Sequence, residues 1–121
     1  MSNAIAPVRL AQALLPHMQP GATFAFMSSQ MASVELARAA QMPLYGASKA
    51  ALNSLLRSWS QTNPDLGLLA LHPGWVRTEM GGNDAPLSIE ESVSGLIRVI
   101  DAYTGQAGCR FIDHRGTPLP W

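Results

Sequence analysis

Leu66-Gly67-Leu68-Leu69-Ala70-Leu71, followed at once by His72-Pro73-Gly74-Trp75-Val76-Arg77-Thr78, is the stretch that decides the fold. Residues 66–71 are apolar without alternation, the pattern of a strand buried on both faces. A second run of the same kind covers residues 22–27 and ends at Ser28-Ser29. A third, residues 109–113, closes at Asp113. Between these runs the apolar spacing changes from continuous to helical. Strand, helix, strand, helix, strand with continuous apolar strands predicts an α/β chain built on a parallel sheet with right-handed crossovers.

Three main helices are predicted. In residues 3–18, Ile5, Val8, Ala11, Leu14, Leu15 and Met18 recur at helix spacing, and Pro20-Gly21 turns the chain. Residues 30–43 read as a loop with one helical turn around 34–40. The second helix runs from about 43 to 60, with Leu52, Leu55, Leu56 and Trp59 as its buried stripe, and Asn63-Pro64-Asp65 ends it. The third begins at a capping box, Ser88-Ile89-Glu90-Glu91, and presents Ile89, Val93, Leu96, Ile97 and Ile100 as its apolar face. The whole of residues 1–121 reads as a single domain. Ligands of such sheets bind outside the carboxyl ends of the strands. Ser28-Ser29, Pro73-Gly74 and the amino end of the second helix all fall on that rim.

Tyr45 and Lys49 stand at that amino end. Lys49 is the only lysine among eight basic residues. At i and i+4 the two side chains share a helix face about 6 Å apart, on the edge of the buried stripe. A cation there favours the phenolate, which is how a tyrosine becomes usable in proton transfer near neutral pH.

Composition excludes several classes of function. Hydrophobic residues make up 47% of the 121 and charged ones 13%, a balance for a packed interior rather than disorder. The formal net charge is zero and there is no basic run, so neither nucleic acid nor an anionic membrane is an implied partner. No stretch is long and apolar enough to span a bilayer, the first residues lack the features of a signal peptide, and Cys109 is alone; a cytoplasmic protein is expected. His17, His72 and His114 lie too far apart for a metal-binding pattern.

Paired serines after a strand, Tyr-x-x-x-Lys on the next helix and Pro-Gly-x-Val-x-Thr after the next strand occur here in one order. In these motifs the sequence resembles the short-chain dehydrogenase/reductase family over nearly its whole length. The closest likeness is to reductases of the C-factor and sniffer type, in Tyr45-Gly46-Ala47-Ser48-Lys49-Ala50-Ala51-Leu52-Asn53, in residues 71–82 and in the final Pro120-Trp121. The resemblance implies a partial Rossmann-like, doubly wound fold and an NAD(P) cofactor, NADP in the full-length relative. It also implies a small carbonyl or alcohol substrate and pairing of copies through the first two helices. It makes Tyr45 the general acid and Lys49 the group that lowers its pKa and binds the nicotinamide ribose. Ser29, with Ser28 as the alternative, polarises the carbonyl. Pro73, Gly74, Val76 and Thr78 line the nicotinamide and pyrophosphate side, and residues 79–87 form the substrate loop. Asn3 matches the asparagine that holds a relay water. Pro7 has no N–H, so the carbonyl of residue 3 lacks its i to i+4 donor.

The family's Gly-x-x-x-Gly-x-Gly turn, which brings a pyrophosphate to a helix N-terminus, is absent from these residues. The sequence is expected to correspond to the carboxyl-terminal half of such a reductase, a fragment or truncated form that is not competent alone. A reading from another class is a catalytically silent derivative kept as an association module, but such a module has no need of Ser29, Tyr45 and Lys49 together. A serine hydrolase using Ser28 or Ser29 with His72 is disfavoured by the lack of a Gly-x-Ser-x-Gly elbow.

Overall fold

A computed structural model describes residues 4–77 and 82–121; Asn3, Thr78 and the 79–81 part of the expected substrate loop lie outside the described residues. The predicted alternation is present. Helix α1 (Ile5–Leu14) leads through a single-turn 3-10 helix (Leu15–His17) to strand β1 (Thr23–Met27). Helix α2 (Pro43–Thr62), strand β2 (Gly67–His72), helix α3 (Ile89–Tyr103) and strand β3 (Gly108–Asp113) follow. The sheet has the order β1-β2-β3 with both pairings parallel, Met27 opposite Leu71 and Leu71 opposite Ile112.

Successive side chains of a strand point to opposite faces, and here both faces are covered. Leu68 and Ala70 of β2 join Phe26 and Phe111 in a cluster with Val8 and Ala11 of α1 and Leu52, Leu56 and Trp59 of α2. Leu69 and Leu71, one residue out of step, pack with Ile112 against Val99, Leu96 and Ile100 of α3. That is the physical reason β2 reads as an unbroken apolar run. The free side of β3 is covered by the chain's own tail, where the Leu119 amide donates to Phe111 O and the Asp113 amide to Thr117 O. Among the described residues no strand pairs with the other side of β1.

Two helices bury different residues from those expected. Leu55 of α2 is exposed, and so are Ile89, Val93 and Ile97 of α3; the residues α3 buries are Ser92, Gly95 and Val99. Close approach explains this. A Cβ on Gly95 would collide with the carbonyl oxygen of His114, so α3 lies on the sheet through its smallest residues and its larger apolar ones turn aside. The capping box is as expected, Ser88 Oγ accepting from the Glu91 amide (3.1 Å) and Glu91 Oε1 from the Ser88 amide (3.2 Å). The loop after β1 first makes a 3-10 turn at Gln30–Ala32, where Ser29 Oγ accepts the Met31 amide, and the expected turn follows over residues 34–37, closed by the Ala37 amide on Ser33 O (3.2 Å) with Ser33 Oγ accepting the Leu36 amide (3.0 Å).

Candidate active site

The strand ends place the serines. Beyond Met27, the Ser28 amide adds one more rung to the sheet by donating to Leu71 O at 2.7 Å. Ser28 is buried, and its hydroxyl donates to Asn53 Oδ1 at 2.8 Å. Ser29 differs. Its oxygen accepts from the Met31 amide at 3.1 Å, which leaves its hydroxyl proton with no acceptor among the described residues. Ser28's proton is committed inside the protein, and Ser29's is free to meet a ligand oxygen.

Tyr45 is the third residue of α2 and is half-buried. Gly46 beside it lets the serine loop close on the helix: a Cβ there would strike Ala39 and stand 3.0 Å from Met31 O. One turn on, Lys49 Nζ donates to Met27 O at 2.9 Å and lies over the Tyr45 ring, 5.9 Å from its centroid. Lys49 therefore folds back to the carboxyl end of β1. The electrostatic expectation for this pair needs correcting. Burial raises the Tyr45 pKa and lowers that of Lys49, and no favourable charge interaction offsets either shift. The ammonium is engaged by a carbonyl and sits over the ring, so desolvation, which favours the neutral form of both groups, prevails.

The turn after β2 supplies the facing wall. Gly74 has φ +86, and a Cβ there would clash with Leu87 and stand 2.9 Å from His114 Cε1. Ser92 Oγ donates to Pro73 O at 2.7 Å, tying the turn to α3, and Val76 bridges to Leu87. Ser28, Ser29, Tyr45, Pro73, Gly74 and Val76 all line one cleft of about 750 Å³, whose apolar side is made by Met27, Met31, Met42, Trp75, Ile89 and Val93. So part of α3's exposed stripe is a wall of this cleft. Among the described residues no group of three or more His, Cys, Asp or Glu is placed to hold a metal, and no helix is long and apolar enough to cross a membrane.

Two polar residues were given no role in this site by the sequence reading. Asn53 receives Ser28, and its Nδ2 is buried with no partner among the described residues. Its spacing, four residues after Lys49 and eight after Tyr45, places it on the same face of α2 and was a readable signal. His72, the last residue of β2, accepts the Gln30 amide on Nδ1 at 3.2 Å. Its apolar surroundings lower its pKa to about 4; Asp113 opposes the shift, while His114 and Arg115 add to it. With Nδ1 engaged by Gln30 and Ser28 bound to Asn53, the hydrolase arrangement does not form.

His72 has a consequence for acid stability. Its folded pKa lies below the ordinary value of 6.5, so between pH 6.5 and 4 the unfolded chain binds more protons than the folded one. Stability is then complete above about pH 6.5 and falls as the pH drops toward 4. With part of the ring exposed, the expected loss is about 1–3 kcal/mol. Urea unfolding at pH 7.5 and pH 5 checks it, and His72→Asn should flatten the difference.

Residues 1–86 match the short chain dehydrogenase family. The chain belongs to that family. It is similar to C-signal of Myxococcus xanthus, with 42% identity over 123 residues that cover 98% of this chain and 74% of that protein. Among solved structures it is similar to a carbonyl reductase from Pseudomonas aeruginosa PAO1 in complex with NADP, at 60% identity and a TM-score of 0.90, covering 98% of this chain and 53% of the other. The carbonyl reductase Sniffer of D. melanogaster superposes at a TM-score of 0.78 with 32% identity, covering 99% of this chain and 54% of Sniffer. The chain spans about half the length of these solved reductases.

The cleft of about 750 Å³ and the Lys49 ammonium at its rim fit a nicotinamide and its ribose. No glycine turn for the pyrophosphate occurs in the sequence.

Proposed function

We propose that this chain carries the carbonyl-reducing side of an NADP-dependent short-chain oxidoreductase, acting on a small carbonyl compound or the corresponding alcohol. The single observation behind this is the convergence of Ser29, Tyr45 and the Pro73–Val76 turn on one cleft, with Lys49 beside Tyr45. NADPH, when bound, supplies the hydride that the carbonyl carbon gains. Ser29 donates its uncommitted hydroxyl proton as a hydrogen bond to the carbonyl oxygen and polarises it. Tyr45, kept protonated by burial, gives its proton to that oxygen as the alcohol forms. Lys49 and Tyr45 would hold the ribose, and Pro73, Gly74, Val76 and, by its match to the family, Thr78 would line the nicotinamide and pyrophosphate side. Asn3 keeps the relay role that its match to the family implies. The Pseudomonas aeruginosa reductase seen with NADP is the reason for preferring NADP to NAD.

The test is reconstitution. The 121-residue chain is co-expressed with the glycine-motif half of the Pseudomonas aeruginosa reductase, and NADPH oxidation is followed with a panel of ketones and aldehydes. Turnover by the pair is expected. A well-folded complex that binds NADPH and reduces no carbonyl sinks the proposal. We also propose that copies pair through α1 and α2, where Ile5, Leu10 and Leu14 of the first and Leu55 of the second are exposed; sedimentation of the reconstituted protein reads the stoichiometry.

A further inference from the structure

The hydrogen bond between the two strand-end turns points to a role for His72 beyond that of a core histidine. The β1–β2 ladder runs through Met27 and Leu71, and its last backbone rung is the Ser28 amide on Leu71 O. Past that rung the two chains part, one into the Ser29-capped turn and the other into Pro73-Gly74. Pro73 has no N–H to extend the ladder. The next link comes from a side chain, with His72 Nδ1 accepting the Gln30 amide. Gln30 directly follows Ser29, and His72 directly precedes Pro73. This one bond therefore joins the serine turn to the turn that forms the opposite wall of the cleft, which both His72 and Gln30 line.

We propose that His72 is a positioning residue: its Nδ1 extends the β1–β2 ladder by one side-chain rung and so fixes where the Ser29 hydroxyl stands relative to Pro73–Val76. The bond requires the tautomer with the proton on Nε2 and Nδ1 as acceptor. The low His72 pKa keeps that acceptor available throughout the neutral range. The charged and titratable groups around the ring are Asp113, His114 and Arg115 at the end of β3 and Arg38 of the loop before α2. Asp113 is held ionised by the Arg115 and Thr117 amides and the Arg115 side chain. The catalytic consequence rests on the function proposed above; the rung itself does not.

Two variants separate acceptor from bulk. His72→Asn places an amide oxygen near the position of Nδ1, whereas His72→Leu fills the volume and accepts nothing. In the 121-residue chain, amide hydrogen exchange of Gln30 should speed up about tenfold in His72→Leu and stay near wild type in His72→Asn. Equal protection of Gln30 in both variants overturns the rung. In the reconstituted enzyme, His72→Leu should lower kcat about tenfold while KM for NADPH changes less than twofold, and His72→Asn should recover most of the loss. If the Gln30 amide is released and kcat is unchanged, the positioning role is overturned. A reconstituted wild type without turnover sinks the function proposal instead, and Gln30 exchange still decides the rung.

Discussion

Tyr45→Phe is expected to lower kcat of the reconstituted enzyme by about 10²–10⁴-fold, the usual contribution of a positioned proton donor. The described residues of the cleft offer no substitute. Ser28's proton is held by Asn53, and Ser29's hydroxyl can donate a hydrogen bond but is too weak an acid to surrender its proton. His72 is neutral near pH 7, with Nδ1 committed to Gln30, and neutral imidazole does not ionise in this range. Lys49 points its ammonium at Met27 O. Among the described residues, the phenol is thus the one group in the cleft placed to complete the alcohol. The substitution keeps the ring and removes only an oxygen at a half-buried position, so unfolding free energy should change by no more than about 0.5 kcal/mol. A variant with the fold intact and turnover within tenfold of wild type would remove Tyr45 from the chemistry. Burial raises the Tyr45 pKa, so reduction should persist on the alkaline side until the phenol ionises, above its ordinary value near 10.

The order of elements was legible because each carried its own period. Leu68 to Leu71 read as a two-faced strand and is one, with alternate residues in the α1/α2 cluster and the α3 cluster. The start of α3 was legible because capping is local chemistry: Ser88 and Glu91 meet across three residues. The face α3 buries was not. Periodicity ranks residues by apolarity, whereas packing here was set by how near the helix could come to His114, and Gly95 and Ser92 decided that. The rim location of Ser28, Ser29, Tyr45 and Pro73-Gly74 followed from topology alone. The commitments of their protons did not, since the Ser28–Asn53 and Gln30–His72 bonds join residues 25 and 42 positions apart. The direction of the Tyr45 shift was misread for a related reason. Spacing places Lys49 near the ring, but only the fold shows that Met27 O takes up its ammonium.

The 121-residue chain by itself is expected to show no NADPH binding by titration calorimetry at protein concentrations of about 100 μM, and no carbonyl reduction. The cofactor's pyrophosphate and 2′-phosphate need donors, and helix N-termini are the usual source. The two helices whose first residues border or line the cleft, α2 and α3, do not serve well. The first turn of α2 opens with Pro43, which has no N–H, and the Gly46 amide already donates to Met42 O at 2.9 Å. At α3 the Ser88 and Glu91 amides are taken by the capping box, and the Glu91 carboxylate that completes it repels an anion. The cation nearest the cleft, Lys49, has one donor on Met27 O and its remaining donors suit a ribose rather than the pyrophosphate. What remains is contact with a nicotinamide and one ribose. Losing three charge-assisted hydrogen bonds, at about 1.5–3 kcal/mol each, weakens affinity by about 10³-fold or more. A micromolar Kd then lies beyond the isolated chain. Adding the glycine-motif half should restore it, in a form weakened by salt as phosphate contacts are. Micromolar affinity in the chain alone would overturn this and place the phosphate site on a surface of these 121 residues other than the rim.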